Sequence, residues 1–383
     1  MPVIVDNRGF HRNEKQATMV DEISLAHVLR EGNSFVRNGW SYGQALTHYL
    51  LEKGMVQGGK PRILEVGPGP GDLAAAAIPT LLEVGKDLSY TMLDIAPHLI
   101  AEQTRKTHKW RDRVRHVSGD AEKADKLVAG ADLVICNEVL ADFRTLDNIP
   151  KKRGGKPTGI AEKHPRNQQA WGLAWDMIEK YGLDVPRRLL DNPRMSFAIN
   201  YGAIKFLEAL DRVLPPGGAA YVSEFTSEYA KPVSLPGHTE YSISESHFEK
   251  TLTKLGFKWE KGGCNDFLGI KHNNKAVDIA QVNLWLMMKD DPYMGVPQED
   301  DTTLLSGRQF YHEEIRHALT EFRRDPRKYT KLDRAVTPQE YDELRKKNGW
   351  DVERPQTLPV GADDFTYYLI RKPGPDVKLK ELH

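Results

Sequence analysis

The sequence predicts an α/β chain built on an open sheet with parallel strands, and three observations predict it. The apolar run Ile63, Leu64 and Val66 reads as a buried parallel strand. It runs into three glycines spaced two apart, Gly67, Gly69 and Gly71, which tolerate positive φ and let a ligand approach the backbone closely. The alanine-rich segment from Leu73 to Ile78 then reads as a helix. Pro68 and Pro70 fix φ between the glycines and stiffen the turn. A strand, a glycine-rich turn and a helix start together make a nucleotide-type pocket, although an ordinary tight turn would use the same residues.

The glycine spacing separates two cofactor classes. A dinucleotide turn wants G-x-G-x-x-G, whereas here the third glycine comes one residue early. Asp72 then stands where it would repel a phosphate, and Glu65 lies at the strand end. Acidic groups at this mouth suit a cationic or zwitterionic ligand better than a pyrophosphate.

Further strands follow at regular intervals. Tyr90 to Leu93 end in Asp94-Ile95-Ala96-Pro97, and an acid there can accept hydrogen bonds from ribose hydroxyls. Leu99 to Lys109 read as a helix, and Val114 to Val117 as a third strand before Ser118-Gly119-Asp120-Ala121. Leu133 to Cys136 make a fourth strand, ending in Asn137-Glu138. Each of the four strand ends carries a polar group where open α/β sheets bind ligands.

This series resembles the class I S-adenosylmethionine (SAM)-dependent methyltransferases, whose first motif is E-x-G-x-G-x-G. The resemblance implies a Rossmann-like sheet with helical insertions and SAM as cofactor. It implies contacts from Glu65, Gly67, Pro68, Gly69, Gly71, Asp94, Ile95 and Asn137, with adenine held by the side chain of Asp120 and the N–H of Ala121.

Composition bounds the alternatives. Lys+Arg and Asp+Glu both number 54, and this zero net charge argues against a nucleic-acid partner. No apolar run approaches the length of a membrane span. Met1 to Gln16 read as flexible, lack an apolar signal core, and carry Asp6 and Glu14, which fit a mitochondrial transit peptide poorly. Two distant cysteines, Cys136 and Cys264, suggest a reducing compartment, hence the cytoplasm, and provide no zinc signature; no metal is expected.

Along the chain, residues 1–60 read as an N-terminal helical cap with helices over Asp21 to Arg30 and Ala45 to Lys53. Residues 61–261 read as the SAM-binding core, with a lid insertion at about 145–195. Within it, Asp147 to Arg166 are basic and rich in glycine and proline, either a solvated mobile loop or a surface for an acidic partner. Gln168 to Tyr181 read as a helix with Trp171, Trp175 and Ile178 on one face, for packing or as part of a lid. Phe197 to Val213 read as a long helix, Leu214-Pro-Pro-Gly-Gly as a turn, and Ala219 to Glu224 as the fifth strand. Ser244 to Leu255 read as a helix and Phe257 to Glu260 as a sixth strand. Residues 262–360 read as a helical insertion, including a helix over Glu313 to Arg324, and residues 361–383 as the last strand, from Asp364 to Arg371, with a tail.

The order of motifs more closely resembles the MidA-like family, which includes the mitochondrial complex I assembly methyltransferases. Ile23-Ser-Leu-Ala-His resembles its I-S-F-A-R, Ser34-Phe-Val with Ser41-Tyr-Gly its F-V…S…F-G, and Leu64-Glu-Val-Gly-Pro-Gly-Pro-Gly its E-x-G-P-G-x-G. Asn137-Glu138 resembles the start of its N-E-F-F-D-A-L-P, His238-Thr-Glu-Tyr-Ser-Ile its E-Y-S, and Asp266-Phe-Leu-Gly-Ile its D-F-L-x-x-G-I. The family's acid after N-E falls three residues beyond the glutamate. Here that position is Ala141 and the acid is Asp142; Phe143-Arg144-Thr145 replace A-L-P. The resemblance implies protein arginine methylation.

A guanidinium acceptor suits a carboxylate that binds it in a bidentate way, and Glu138 stands past the fourth strand for that role. If residues 138–142 form a helical turn, Asp142 shares its face as a second jaw. Asn137 could instead accept a hydrogen bond from an amine or amide. Each has a plainer role: Asn137 satisfying the loop backbone, Glu138 pairing with Arg144. His238 and Tyr241 could line the acceptor pocket or be structural. The expected partner is a protein or peptide substrate. A methyltransferase for a small molecule or a peptide natural product and a non-catalytic SAM-binding assembly factor are the alternatives.

Overall fold

Neighbouring residues along the central strands bury toward opposite faces, which requires helices on both sides of the sheet. Ile63, Leu133 and Ile135 join one apolar cluster, while Leu64, Val66, Val134 and Cys136 join another. The structure is a computed structural model that describes residues 2–13, 24–32, 36–150, 165–185, 196–235, 237–270, 275–278, 335–336, 338–350, 358–359 and 365–374.

Seven strands form the main path of the central sheet: β2 (Arg62–Val66), β3 (Ser89–Asp94), β4 (Val114–Ser118), β5 (Leu133–Asn137), β8 (Ala219–Ser227), β12 (Lys258–Gly263) and β16 (Phe365–Arg371). Their order is β12-β16-β8-β5-β2-β3-β4, with the short strand β11 (Ile243–Ser244) added beside β8. β2 pairs in parallel with β3 and β5, β5 in parallel with β8, and β16 lies antiparallel between β8 and β12. The strand order reverses at β2 while the strands stay parallel, so the C-terminal ends of β2, β3, β4 and β5 face one crevice, the switch point where open α/β sheets take ligands.

Helix α3 (Tyr42–Glu52) starts at a capping box in which Ser41 and Gln44 satisfy each other's backbone. It packs with α4 (Asp72–Glu83) on the first face. Helices α8 (Tyr201–Val213) and α9 (Glu245–Lys254) cover the second through Phe206, Leu207, Leu210, Phe248 and Leu252. Helices α5 (Ile100–Thr107) and α6 (Ala124–Leu127) lie in the connections after β3 and β4. No helix among the described residues is long and apolar enough to cross a membrane.

Several sequence expectations change. Residues of the N-terminal stretch expected to be flexible form β1 (Val3–Val5) and the helical turn α1 (Arg8–His11). β1 pairs with β6 (Thr145–Pro150), which pairs with β7 (Ser196–Ile199). Part of the expected basic loop is therefore a strand, because Leu146 and Ile149 have apolar partners to cover them. Residues 151–164 lie outside the described residues. The expected helix from Phe197 begins only at Tyr201, since Phe197 and Ile199 pair with Ile149 and Leu146 in β7. Helix α7 (Pro165–Tyr181) packs on this small sheet through Ala170, Ala174 and Met177, with Trp171 and Ile178 against the same cluster. None of its residues lines the cavity described below.

Four further elements are described near the C-terminus, beyond α10 (Asn265–Leu268). β13 (Lys275–Asp278) pairs with both β14 (Ala335–Val336) and β15 (Leu358–Pro359), and α11 spans Pro338–Asn348. The segment expected to be a helical insertion thus contains a small sheet. The helix expected over Glu313 to Arg324 lies outside the described residues.

Candidate active site

One cavity opens at the C-terminal ends of β2 to β5. Glu65, Gly67, Pro68, Gly69, Asp72, Asp94, Ile95, Asp120, Ala121, Asn137, Glu138 and Asp142 all line it. The structure thus brings together residues that the sequence spreads over nearly eighty positions.

The floor is the glycine turn. Gly67, Gly69 and Gly71 have φ of 61°, 51° and 86°, in the left-handed region that L side chains avoid. A Cβ on Gly67 would lie 2.5 Å from Val139 Cγ2, so only glycine fits between the turn and the β5 loop. Gly71 is the N-cap of α4 and donates its N–H to Pro68 O at 2.8 Å. Gln103 on α5 donates to Gly69 O at 2.9 Å and to Asp94 Oδ2 at 2.8 Å, tying the turn to the β3 end.

The acids at this mouth are not the negative surface the sequence suggests. Glu65 is fully buried and accepts from the Tyr90 hydroxyl at 2.9 Å. Burial pushes its pKa up to about 8, which the Tyr90 bond only partly offsets, so it is largely neutral at pH 7. Burial also pushes Asp72 upward, but His27 Nδ1 at 2.6 Å and Lys106 Nζ at 2.5 Å more than offset this and hold its pKa below the usual value. The repulsion of a phosphate expected from Asp72 is therefore cancelled by its two partners.

Asp94 accepts from the Ala96 N–H at 2.8 Å, which fixes its carboxylate at the end of β3. Asp120 caps the following turn by accepting from Glu122 N–H at 3.0 Å. Its other oxygen accepts from Arg8 Nη1 at 2.8 Å. Arg8 is held in turn by Asp6, whose Oδ1 accepts from its Nε at 2.7 Å. Arg144 donates from Nε to Glu122 Oε2 at 2.9 Å and not to Glu138, the pairing considered from sequence.

Glu138 takes a φ of 55°, a strained value for a non-glycine residue at the mouth of a site. Its carboxylate accepts from Leu25 N–H at 2.9 Å and from Asn137 Nδ2 at 3.0 Å. Among the described residues it has no cationic partner within ion-pair distance. Burial pushes its pKa up to about 7 despite these two bonds. Asn137 Oδ1 already accepts from the Tyr42 hydroxyl at 2.5 Å and from Ser223 Oγ at 2.9 Å. These bonds aim its amide at Glu138, a positioning arrangement beyond the backbone role considered from sequence.

The expected helical turn over 138–142 does not form as such. Only Leu140–Asp142 make a 3₁₀ turn, and the left-handed Glu138 stands outside it. The two acids still line one cavity, but Asp142 is not a free second jaw. His11 Nε2 lies 2.9 Å from its Oδ1, and His238 Nε2 lies 3.6 Å away. His238 stacks on Phe10 at 4.2 Å and is not itself in the cavity lining. Tyr241 is buried outside the lining, beside Asp147.

Residues missed by sequence reasoning complete the wall. Arg8, His11, His27, Glu224 and Glu240 line the cavity, and Tyr42 stands behind Asn137. Glu224 accepts from Ala141 N–H at 3.0 Å and Phe225 N–H at 2.9 Å, and burial pushes its pKa well above the usual carboxylate range. No local pattern around Arg8 or His11 signals this placement.

The cavity fits a SAM-type ligand on its own construction. The turn presents backbone where any side chain would collide, an acid ends the second strand, and an acid with the following N–H ends the third. Residues 64–152 match the methyltransferase domain family. A search of curated proteins finds no match.

Solved structures similar in fold include the [4+2]-cyclase SpnF, 14% identical over 98% of this chain and 99% of that one, at a TM-score of 0.45. Another is a Haemonchus contortus phosphoethanolamine N-methyltransferase 2 in complex with SAM, 15% identical over 96% and 60% of the two chains, at 0.43. A third is an uncharacterised COG1565 superfamily protein from Burkholderia thailandensis, 14% identical over 94% and 86%, at 0.39. The domain match and the cavity together identify this chain as a methyltransferase that takes its methyl group from SAM.

Proposed function

We propose that this enzyme methylates a nitrogen of a protein or peptide side chain, with arginine as the first candidate, and that it is a MidA-like methyltransferase. The observation that carries the reading is Glu138: a half-buried carboxylate on the cavity wall, aligned by two donors and without an ion-paired cation among the described residues.

SAM, when bound, supplies an electrophilic methyl group on a sulfonium. The protein's task is then to hold a nitrogen lone pair in line with it at about 3 Å. A guanidinium does not lose its proton near neutral pH by itself. Glu138 would bind it through two N–H groups, localise its charge and leave the remaining nitrogen directed at the methyl. An arriving cation favours the ionised carboxylate, so its pKa falls from about 7 as the acceptor binds. Proton loss then follows methyl transfer, to Glu138 or to water.

In this reading residues 1–60 cap the cavity, 61–261 form the catalytic core and the later insertion shapes the acceptor's approach. The buried free thiols Cys136 and Cys264 suit a reducing compartment such as the cytoplasm. Incubating a proteome extract with the enzyme and methyl-labelled SAM tests the acceptor class. Label should appear in protein and, after acid hydrolysis, in methylated arginine. Label confined to the small-molecule fraction would overturn the reading.

A further inference from the structure

At the acceptor end of the cavity, side chains from three distant segments converge on one point. His11 comes from α1, Asp142 from the turn after β5, and His238 from the start of β10 (His238–Tyr241). Their potential ligand atoms all lie within 4.8 Å of one another. Glu240 Oε1, two residues further along β10, lies 3.2 Å from His238 Nε2.

The distances are those of a coordination shell. Four ligands bound at about 2.0–2.1 Å around a tetrahedral ion stand about 3.3 Å apart. The observed separations are 2.9 Å for His11–Asp142 and 3.6 Å for His238–Asp142, and all three ligand atoms lie within 4.8 Å of one another. Two imidazole nitrogens and one carboxylate form a borderline nitrogen–oxygen donor set that suits zinc and its neighbours, with a fourth position left open.

The group is also withdrawn from water and supported. The side chains of His11 and His238 are 9% and 3% exposed, those of Asp142 and Glu240 22% and 19%. Phe10 stacks on the His238 ring, and Asn7 Nδ2 donates to Asp142 Oδ1 at 3.4 Å and to Thr239 O at 2.8 Å. Such outer contacts orient ligands before an ion arrives. Ligands at positions 11, 142 and 238 share no compact motif, which is why no metal is expected from the sequence.

We propose that His11, Asp142 and His238 bind one divalent transition ion of the zinc class, leaving its fourth position open. His11 and Asp142 line the cavity, so the ion would face the acceptor while pinning the N-terminal segment across the site. The proposal is independent of which acceptor is methylated.

The test uses the full chain, stripped with a chelator and then titrated with Zn²⁺ by calorimetry and with Co²⁺ by visible spectroscopy. One ion per chain and the intense bands of four-coordinate cobalt are expected. His238→Asn and Asp142→Asn should each weaken binding by at least about tenfold, given that even second-layer changes cost 10–100-fold. Circular dichroism reports whether each variant folds. Wild-type crystals soaked in Zn²⁺ supply a measurement free of variants, with anomalous density expected among these three side chains. Failure to bind one equivalent, unchanged affinity in a folded variant, or anomalous density elsewhere would overturn the proposal.

Discussion

Arg8 Nη1 donates to Asp120 Oδ2 at 2.8 Å, joining residues 112 positions apart. The N-terminal segment therefore reaches the acid that follows β4, on the side of the cavity that the family resemblance implies for adenine. A charge-assisted bond is worth about 1.5–3 kcal/mol. These side chains are 25% and 11% exposed, and screening reduces this to about 1 kcal/mol. Arg8→Ala should therefore raise the SAM dissociation constant about fivefold. Calorimetric titration checks this, and an unchanged constant would mean that Arg8 does not hold Asp120 for the ligand.

The Tyr42 hydroxyl acts at one remove. It donates to Asn137 Oδ1, and Asn137 donates to Glu138. Tyr42→Phe keeps the ring in its buried place beside Phe267 while deleting that donor. The expected result is a fall of about tenfold in kcat, with the SAM dissociation constant within twofold of wild type. A loss of SAM affinity as large as the loss of kcat would assign Tyr42 to the cofactor and not to Glu138.

Much of the cavity lining was legible because it is local. Glu65, Asp94, Asp120 and Asn137 each end an apolar strand, and the strand pattern alone places them on one edge of the sheet. What was not legible depends on distant partners. Phe197 to Ile199 are compatible with a helix until β6 pairs with them. Arg8 and His11 sit in a short polar stretch with no periodicity, and only the completed fold brings Asp120 and Asp142 to them. The acid register after Asn137 misled for a similar reason. Glu138 adopts a left-handed conformation, which no helical face can accommodate.

Glu65 makes stability fall with pH. Its folded pKa of about 8 lies above the unfolded value of 4.5, so between these values the folded state binds more protons. The contribution is complete below about pH 4.5 and is lost as pH rises through about 8. Glu65→Gln mimics the protonated acid and cannot ionise. Its melting temperature should fall less than that of wild type between pH 6 and 9, roughly, when other groups titrate equally in both. Parallel curves for the two proteins would show that Glu65 is ionised in the folded state.

Glu138→Gln in a single-turnover assay tests the account most directly. The variant keeps the side-chain shape and one acceptor oxygen but cannot hold a cation. SAM affinity by calorimetry should stay within about threefold, while methyl transfer falls by about 100-fold or more, the scale of losing one oriented electrostatic group in a closed site. Turnover equal to wild type at saturating SAM would contradict the role of Glu138 in presenting the acceptor nitrogen.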